Sequence, residues 1–406
     1  MTLDNFPTTR PSFTANFARS QQMPPQVTFS RASTGTYVGE NGLIQTTTNN
    51  TPRFDWENGK CQGLLIEQSR TNLLLQSEDF TTTWVSTNAA LTANANTAPD
   101  GSNTATRLST STGTWPTYIS QPFGPSGTVK TFSVYARADT GTDWIAIGGI
   151  QYGGELAYFN LSTGTIGTVQ GQLTNTQIDF IGNGWYRCAC TCDFGSASGG
   201  AGGFGGVIPV TGDNTLNIVA SGTGPLIWGA QLEQSSYLTS YIPTTGSEAT
   251  RARDVAQINN LDFWSDKATL TAEYEVQNVG GYAFQWGFDQ GTGAGGIQAN
   301  PGNIPGLLYI IGTGDPAYLR GNDNFWVTGR PLKAAYSWDC SAGSYSGFVD
   351  VGTATPITQT GFAIAAPRTR FTFGAWGNDQ RNSTVWSYMA YYPTRASHDV
   401  LEALTQ

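Results

Sequence analysis

The sequence predicts an all-β chain: an extended N-terminal arm, then two β-sandwich domains of jelly-roll or lectin-like type, and one short C-terminal helix. Three observations predict it. Apolar residues alternate in short runs and almost nowhere recur with a sustained helical period. Glycine supplies 50 of the 406 residues and proline 19, which is the punctuation of a turn-rich chain. Twelve Trp within 12 % aromatic residues supply bulk for sandwich interiors and argue against disorder.

The elements follow in chain order. Residues 1–76 carry Arg10-Pro11, Met23-Pro-Pro25 and Gly39-Glu-Asn-Gly42. Their apolar residues are too scattered for a self-sufficient core, so this segment reads as an arm for attachment and assembly that packs on a neighbour. Residues 77–246 hold enough strands for one sandwich, with Thr131–Arg137, Trp144–Ile147 and Thr215–Ala220 alternating apolar and polar. Within it, Ser196–Gly206 is a glycine-rich loop that lacks the strand, helix and Lys of a phosphate cradle. Tyr241–Gly246 through Arg251–Asp254 bridges to a second sandwich at 255–406, where Leu270–Val276 and Arg370–Gly374 read as strands with one buried face. At the end, Ser397 suits an N-cap, Asp399 a first turn, and Val400, Leu401 and Leu404 form one apolar stripe. These residues predict a closing helix with His398 exposed.

Charge and rare residues exclude several functions. Charged residues make up 12 %, with 29 acids against 20 bases, a net charge of −9 and only four Lys. That balance leaves no electrostatic footprint for nucleic acid or an anionic membrane. The longest uncharged stretch, Gln290–Gly314, is broken by Gly and Pro and predicts no membrane insertion. Residues 1–25 hold Asp4, Arg10 and Arg19 with no apolar stretch, so no secretory signal is expected. His398 is the only histidine, which excludes His-dependent triads and His-rich zinc sites as the main chemistry. Carboxylate-pair hydrolysis survives by elimination alone, because no spacing singles out a pair. Cys188, Cys190 and Cys192 alternate on one strand. They read either as a thiolate metal site or, the preferred reading, as small apolar side chains lining a core. Cys61 and Cys340 stand alone.

Several motifs carry a family resemblance. Val27-Thr-Phe-Ser-Arg-Ala-Ser-Thr-Gly-Thr-Tyr-Val38, Asn41-Gly-Leu-Ile44, Pro52-Arg-Phe-Asp55, Gly63-Leu-Leu-Ile-Glu67, Arg70-Thr-Asn-Leu-Leu74 and Ser77-Glu-Asp-Phe80 resemble a leader found in tailed-bacteriophage structural proteins. Phe159–Thr165, Gly184–Arg187, Trp228–Glu233 and Ser240–Gly246 resemble the carbohydrate-binding-module-like jelly roll of the same proteins. The last block, with Tyr391–Arg395 and Leu401–Thr405, is similar to concanavalin-type lectin sandwiches, although its match is patchy in the middle. The resemblance implies a non-enzymatic virion surface protein, made in the host cytoplasm. It would attach through its arm to other capsid or tail proteins and present its sandwiches to host surface glycans. The alternative it leaves open is a capsid decoration or connecting fibre whose sandwiches serve protein–protein packing. Such proteins are commonly closed homo-oligomers, and a trimer is the first expectation.

Sugar sites need apolar rings to stack on pyranose faces and polar side chains to bind hydroxyls. The candidate carbohydrate-binding residues are Trp115 and Tyr118 beside a Pro turn, Asp323, Asn324 and Trp326 in one loop, and Trp376, Asn378 and Asp379 in another. Trp144, Trp185 and Trp228 are assigned to the core. No cofactor is required. A structural calcium ion is the expected metal, because oxygen ligands abound, with Glu78, Asp79 and Glu233 as its candidate clamp at the first and last strands of the jelly roll.

Overall fold

The computed structural model describes residues 10–405 apart from 112–115, 123–127, 140, 150–154, 194–203, 217–218, 278–285, 290–296, 301–306, 311–316, 321–330, 340–343, 350–356, 361–367 and 375–382. The chain is all-β, built from antiparallel sheets that pair face to face, and it closes on a helix at His398–Thr405.

The first sandwich has two six-stranded sheets. One runs Thr174–Gly182, Trp185–Cys192, Lys130–Arg137, Leu226–Glu233, Ala105–Thr110, Ala89–Asn96. The other runs Thr165–Val169, Glu155–Asn160, Trp144–Gly149, Phe204–Val210, Tyr118–Pro122, Val85–Thr87. Strand alternation sorts the side chains. Phe132, Val134 and Ala136 turn inward onto Ile145, Ile147 and Phe159, each large apolar side chain contributing about 2 kcal/mol by burial. Cys188, Cys190 and Cys192 join that interior as free thiols, and burial pushes the thiols up. Tyr135 turns the other way, into an outer layer with Trp185, Trp228 and Tyr241 that Ile44 of the leader helps to cover.

The second sandwich pairs an eight-stranded with a seven-stranded sheet. Lys267–Val276, at the centre of the larger sheet, is flanked by Pro331–Asp339 and Thr384–Tyr392. The interior holds Leu270, Tyr274, Phe288, Phe371, Phe373, Trp386 and Tyr391. The expected lack of a separate core in residues 1–76 has a concrete counterpart: the segment is woven into this sandwich. Phe13–Ala15 and Lys60–Ile66 both pair with Thr384–Tyr392, and Val27–Ser30 pairs with Val255–Ile258. Its Phe13, Phe17, Leu64 and Ile66 are at most 4 % exposed in the same interior. At Gly63 (φ +131°) a Cβ would lie 2.0 Å from the Trp386 carbonyl oxygen, so only glycine lets this strand dock.

Some expectations shift. Trp185 and Trp228 are buried as assigned, whereas Trp144 is half-buried and packs with Tyr118 and Leu216 on an outer cluster around Tyr158 and Ile208. The described residues of Thr215–Ala220 form no strand despite their alternation: the stretch follows a turn, Val219 alone is buried, and Leu216 packs on the sheet from outside. The glycine-rich stretch gives its end to the strand Phe204–Val210, since consecutive glycines still donate ladder bonds. The closing helix buries Leu401 and Leu404 against Ala335 and Ala396. The His398 side chain and Cys340 lie outside the described residues.

Candidate functional site

The leader motifs and the bridge meet in a buried ionic cluster. Arg31, Arg53, Glu67, Arg251 and Asp254 are each at most 2 % exposed. Asp254 accepts from Arg31 Nη1 at 3.1 Å, from Arg53 Nη2 at 2.5 Å and from the Glu67 backbone N–H at 2.8 Å. Glu67 accepts from Arg53 Nη1 at 2.8 Å and from the Ser240 N–H and hydroxyl at 2.8 and 2.6 Å. Arg251 Nη1 stands 3.4 Å from Glu67. Burial alone would raise the Glu67 pKa; Arg251, Arg53 and the Ser240 bonds outweigh it and lower it to about 2. Asn72 completes the joint, donating to the Ala230 and Ile242 carbonyls and accepting from the Leu74 and Leu232 N–H groups. Charged positions scattered over more than 200 residues thus fasten leader, bridge and first sandwich together.

Above this joint lies a cavity of about 950 Å³, within the size range of ligand clefts. It opens between the leader, the edge strand Thr174–Gly182, the segment Ser236–Leu238, and Glu275, Gln277 and Val385 of the second sandwich. An adjoining cavity of about 200 Å³ shares Asp55, Asp179 and Gln277 with it and reaches Arg187. The leader's contribution is a hairpin of Arg53–Glu57 with Lys60–Ile66, turned by Asn58 (φ 50°) and Gly59 (φ 73°). That is the two-residue turn with both residues in the left-handed region, and it carries Trp56 and Glu57 to the rim.

The lining combines rings, amides and carboxylates. Phe180 is 51 % exposed and leans on Tyr186, with ring centroids 5.3 Å apart. Asn175 donates to the Ser236 carbonyl at 2.6 Å, Gln177 to Asp179 at 3.1 Å and Gln277 to Glu275 at 2.6 Å. Asp55 is half-buried and accepts from the Val38 N–H at 2.8 Å. Burial pushes its pKa up to about 6, with the Val38 bond opposing and Glu67 reinforcing the rise. Burial likewise raises Asp179 and Glu275; Arg187 counters it at Asp179, and Gln277 counters it at Glu275. A ring to stack on and side-chain amides and acids to bind hydroxyls are the elements of a sugar-binding surface.

None of the ring residues proposed from sequence lies in this cleft among the described residues. Tyr118 is half-buried on the outer cluster of the first sandwich. Trp115, Asp323, Asn324, Trp326, Trp376, Asn378 and Asp379 lie outside the described residues. The three proposed calcium ligands each make their own hydrogen bonds. Glu233 is fully buried and accepts from the Thr239 N–H and hydroxyl. Asp79 closes a local turn on Thr81 and Thr82, and Glu78 accepts from the Tyr241 hydroxyl at 2.9 Å. Among the described residues no group of three or more His, Cys, Asp or Glu could hold a metal ion. Nor is any described helix long and apolar enough to cross a membrane.

No family model matches the chain, and no curated protein does. Solved structures similar to it include domain 4 of AbnA, an extracellular GH43 arabinanase of Geobacillus stearothermophilus, in complex with arabinotriose. That match has 14 % identity and a TM-score of 0.32, covering 42 % of this chain and 81 % of the other. The CBM40 of a Ruminococcus gnavus IT-sialidase bound to α2,3-sialyllactose aligns at 15 % identity and TM-score 0.30, covering 34 % and 82 %. Peanut lectin aligns at 14 % identity and TM-score 0.27, covering 36 % and 81 %. At such scores the likenesses carry no argument about ligands.

Proposed function

We propose that the protein recognises glycan chains in the cleft between its sandwiches, without cleaving them, as a surface protein of a tailed-phage virion. The observation that carries the binding half is the cleft lining: Trp56 and an exposed Phe180, with the Asn175, Gln177 and Gln277 amides and several carboxylates around one space of about 950 Å³. The virion half rests on the leader motifs, whose Arg31, Arg53 and Glu67 are the residues that fasten the leader in place. In this reading the protein assembles as a homo-oligomer, a trimer first, with capsid or tail proteins as partners.

A glycan array with the purified chain tests it. Specific signal that Phe180→Ala reduces at least about tenfold, the weight of a lost stacking contact, is the expected result. A flat array, or signal indifferent to Phe180→Ala, would contradict it. Release of new reducing ends from bound oligosaccharides would replace recognition by hydrolysis, for which the raised Asp55 carboxyl would be the first candidate acid. One observation favours a packing role instead: Ile166 and Val169, 40 % and 41 % exposed, lie on the edge strand Thr165–Val169. Decoration of purified virions by an antibody to the chain, together with that flat array, would support it.

A further inference from the structure

The charge of the cleft narrows its ligand. Glu40, Asp55, Glu57, Asp179 and Glu275 all line it, and among the described residues no Lys, Arg or His does. They come from the leader, the edge strand of the first sandwich and the large sheet of the second, so negative charge faces the space from three of its four sides. Arg187 lines the adjoining cavity, where it donates to the Thr239 carbonyl at 2.7 Å and the Ser133 hydroxyl at 3.2 Å. The five lining carboxylates repel an anionic sugar and attract an ammonium group.

We infer that the cleft takes glycans bearing free amines, chains of 2-amino-2-deoxyhexose, and rejects sialic and uronic acids. This rests on the glycan reading above and sharpens it. The rings and amides bind the uncharged body of each residue, and the carboxylates supply the selectivity. Glu40, Glu57 and Asp179 are exposed and set the field at the mouth; Asp55 and Glu275, half-buried, set it further in.

Isothermal titration with three probes tests the inference: a glucosamine tetramer, its fully N-acetylated counterpart and 3′-sialyllactose. At low salt the amine form is expected to bind about tenfold tighter than the N-acetylated form, from two to three ion pairs of modest worth. That advantage should fade at about 0.5 M salt, and sialyllactose should not bind. Glu40→Gln with Glu57→Gln, both on the exposed rim, should weaken the amine form about threefold more than the N-acetylated form. Equal binding of the amine and N-acetylated forms, or binding of sialyllactose, would overturn the charge argument and leave glycan recognition standing. Silence of all three sugars would overturn both. A tetralysine peptide binding as tightly as the glucosamine tetramer, with no loss in Phe180→Ala, would reassign the cleft to basic peptides and overturn the sugar class.

Discussion

Replacing Asp254 by Ala isolates the joint on which the architecture depends. The carboxylate accepts from two guanidinium groups and one backbone amide, and the Asp254, Arg31 and Arg53 side chains are all 0 % exposed. Without it, three buried arginines are left with one carboxylate in the cluster, Glu67. Breaking a buried pair by removing one partner costs about 3–5 kcal/mol; the Glu67 N–H loses its acceptor as well, which keeps the expected loss at the upper end, about 5 kcal/mol. Lys267→Ala is the control, because Lys267 is 58 % exposed in its pair with Asp339 and should cost under about 1 kcal/mol. Urea unfolding followed by tryptophan fluorescence and far-ultraviolet circular dichroism reads both variants. Since the cluster links leader, bridge and first sandwich, Asp254→Ala should also separate the transition into two. A loss under about 1 kcal/mol with one unchanged transition would refute the assignment of the cluster as the fastening point.

Asp55 gives a pH signature. Its folded pKa is about 6 against an ordinary 3.8, so the folded state holds the proton more tightly. The stability this contributes is complete below about pH 4 and is lost as the pH rises through about 6, some 3 kcal/mol in all. Asp55→Asn should flatten the stability profile across that window by a similar amount, and an unaltered profile would show that the carboxyl is not shifted. Glu67 acts with the opposite sign: its stabilisation is present above its ordinary 4.5 and lost as the pH falls toward about 2. Gly63→Ala should cost about 3 kcal/mol or more, from the forced left-handed backbone and the clash with the Trp386 carbonyl; a soluble variant with native melting would contradict that docking. Chelation with EDTA should leave the melting temperature unchanged, because Glu78, Asp79 and Glu233 already have hydrogen-bond donors. A fall of several degrees, restored by calcium, would assign a metal after all.

The fold was legible in the sequence because period-two alternation and glycine-bearing turns report strands directly. Lys130–Arg137, Lys267–Val276 and Arg370–Phe373 form where the alternation puts them. The destination of the leader was not legible. Strand pairing across more than 300 residues, such as Thr384–Tyr392 with Lys60–Ile66, leaves no local mark beyond an apolar run. The buried charges were hidden for the same reason: Arg31, Arg53 and Asp254 look like solvated polar residues until the chain closes around them. The cleft was missed because it belongs to no single segment. One signal was available: Asn58-Gly59 between two apolar runs announces a tight hairpin and would have placed Trp56 and Glu57 together at its tip. Phe180 offered none, since its exposure depends on Thr174–Gly182 ending a sheet.

The most direct measurement is a crystal structure of the chain soaked with the glucosamine tetramer. Ligand density against Phe180 and Trp56, with its amines facing Asp55, Asp179 or Glu57, is the expected result. An empty cleft, with sugar bound instead at the loops of Trp326 or Trp376, would contradict the account.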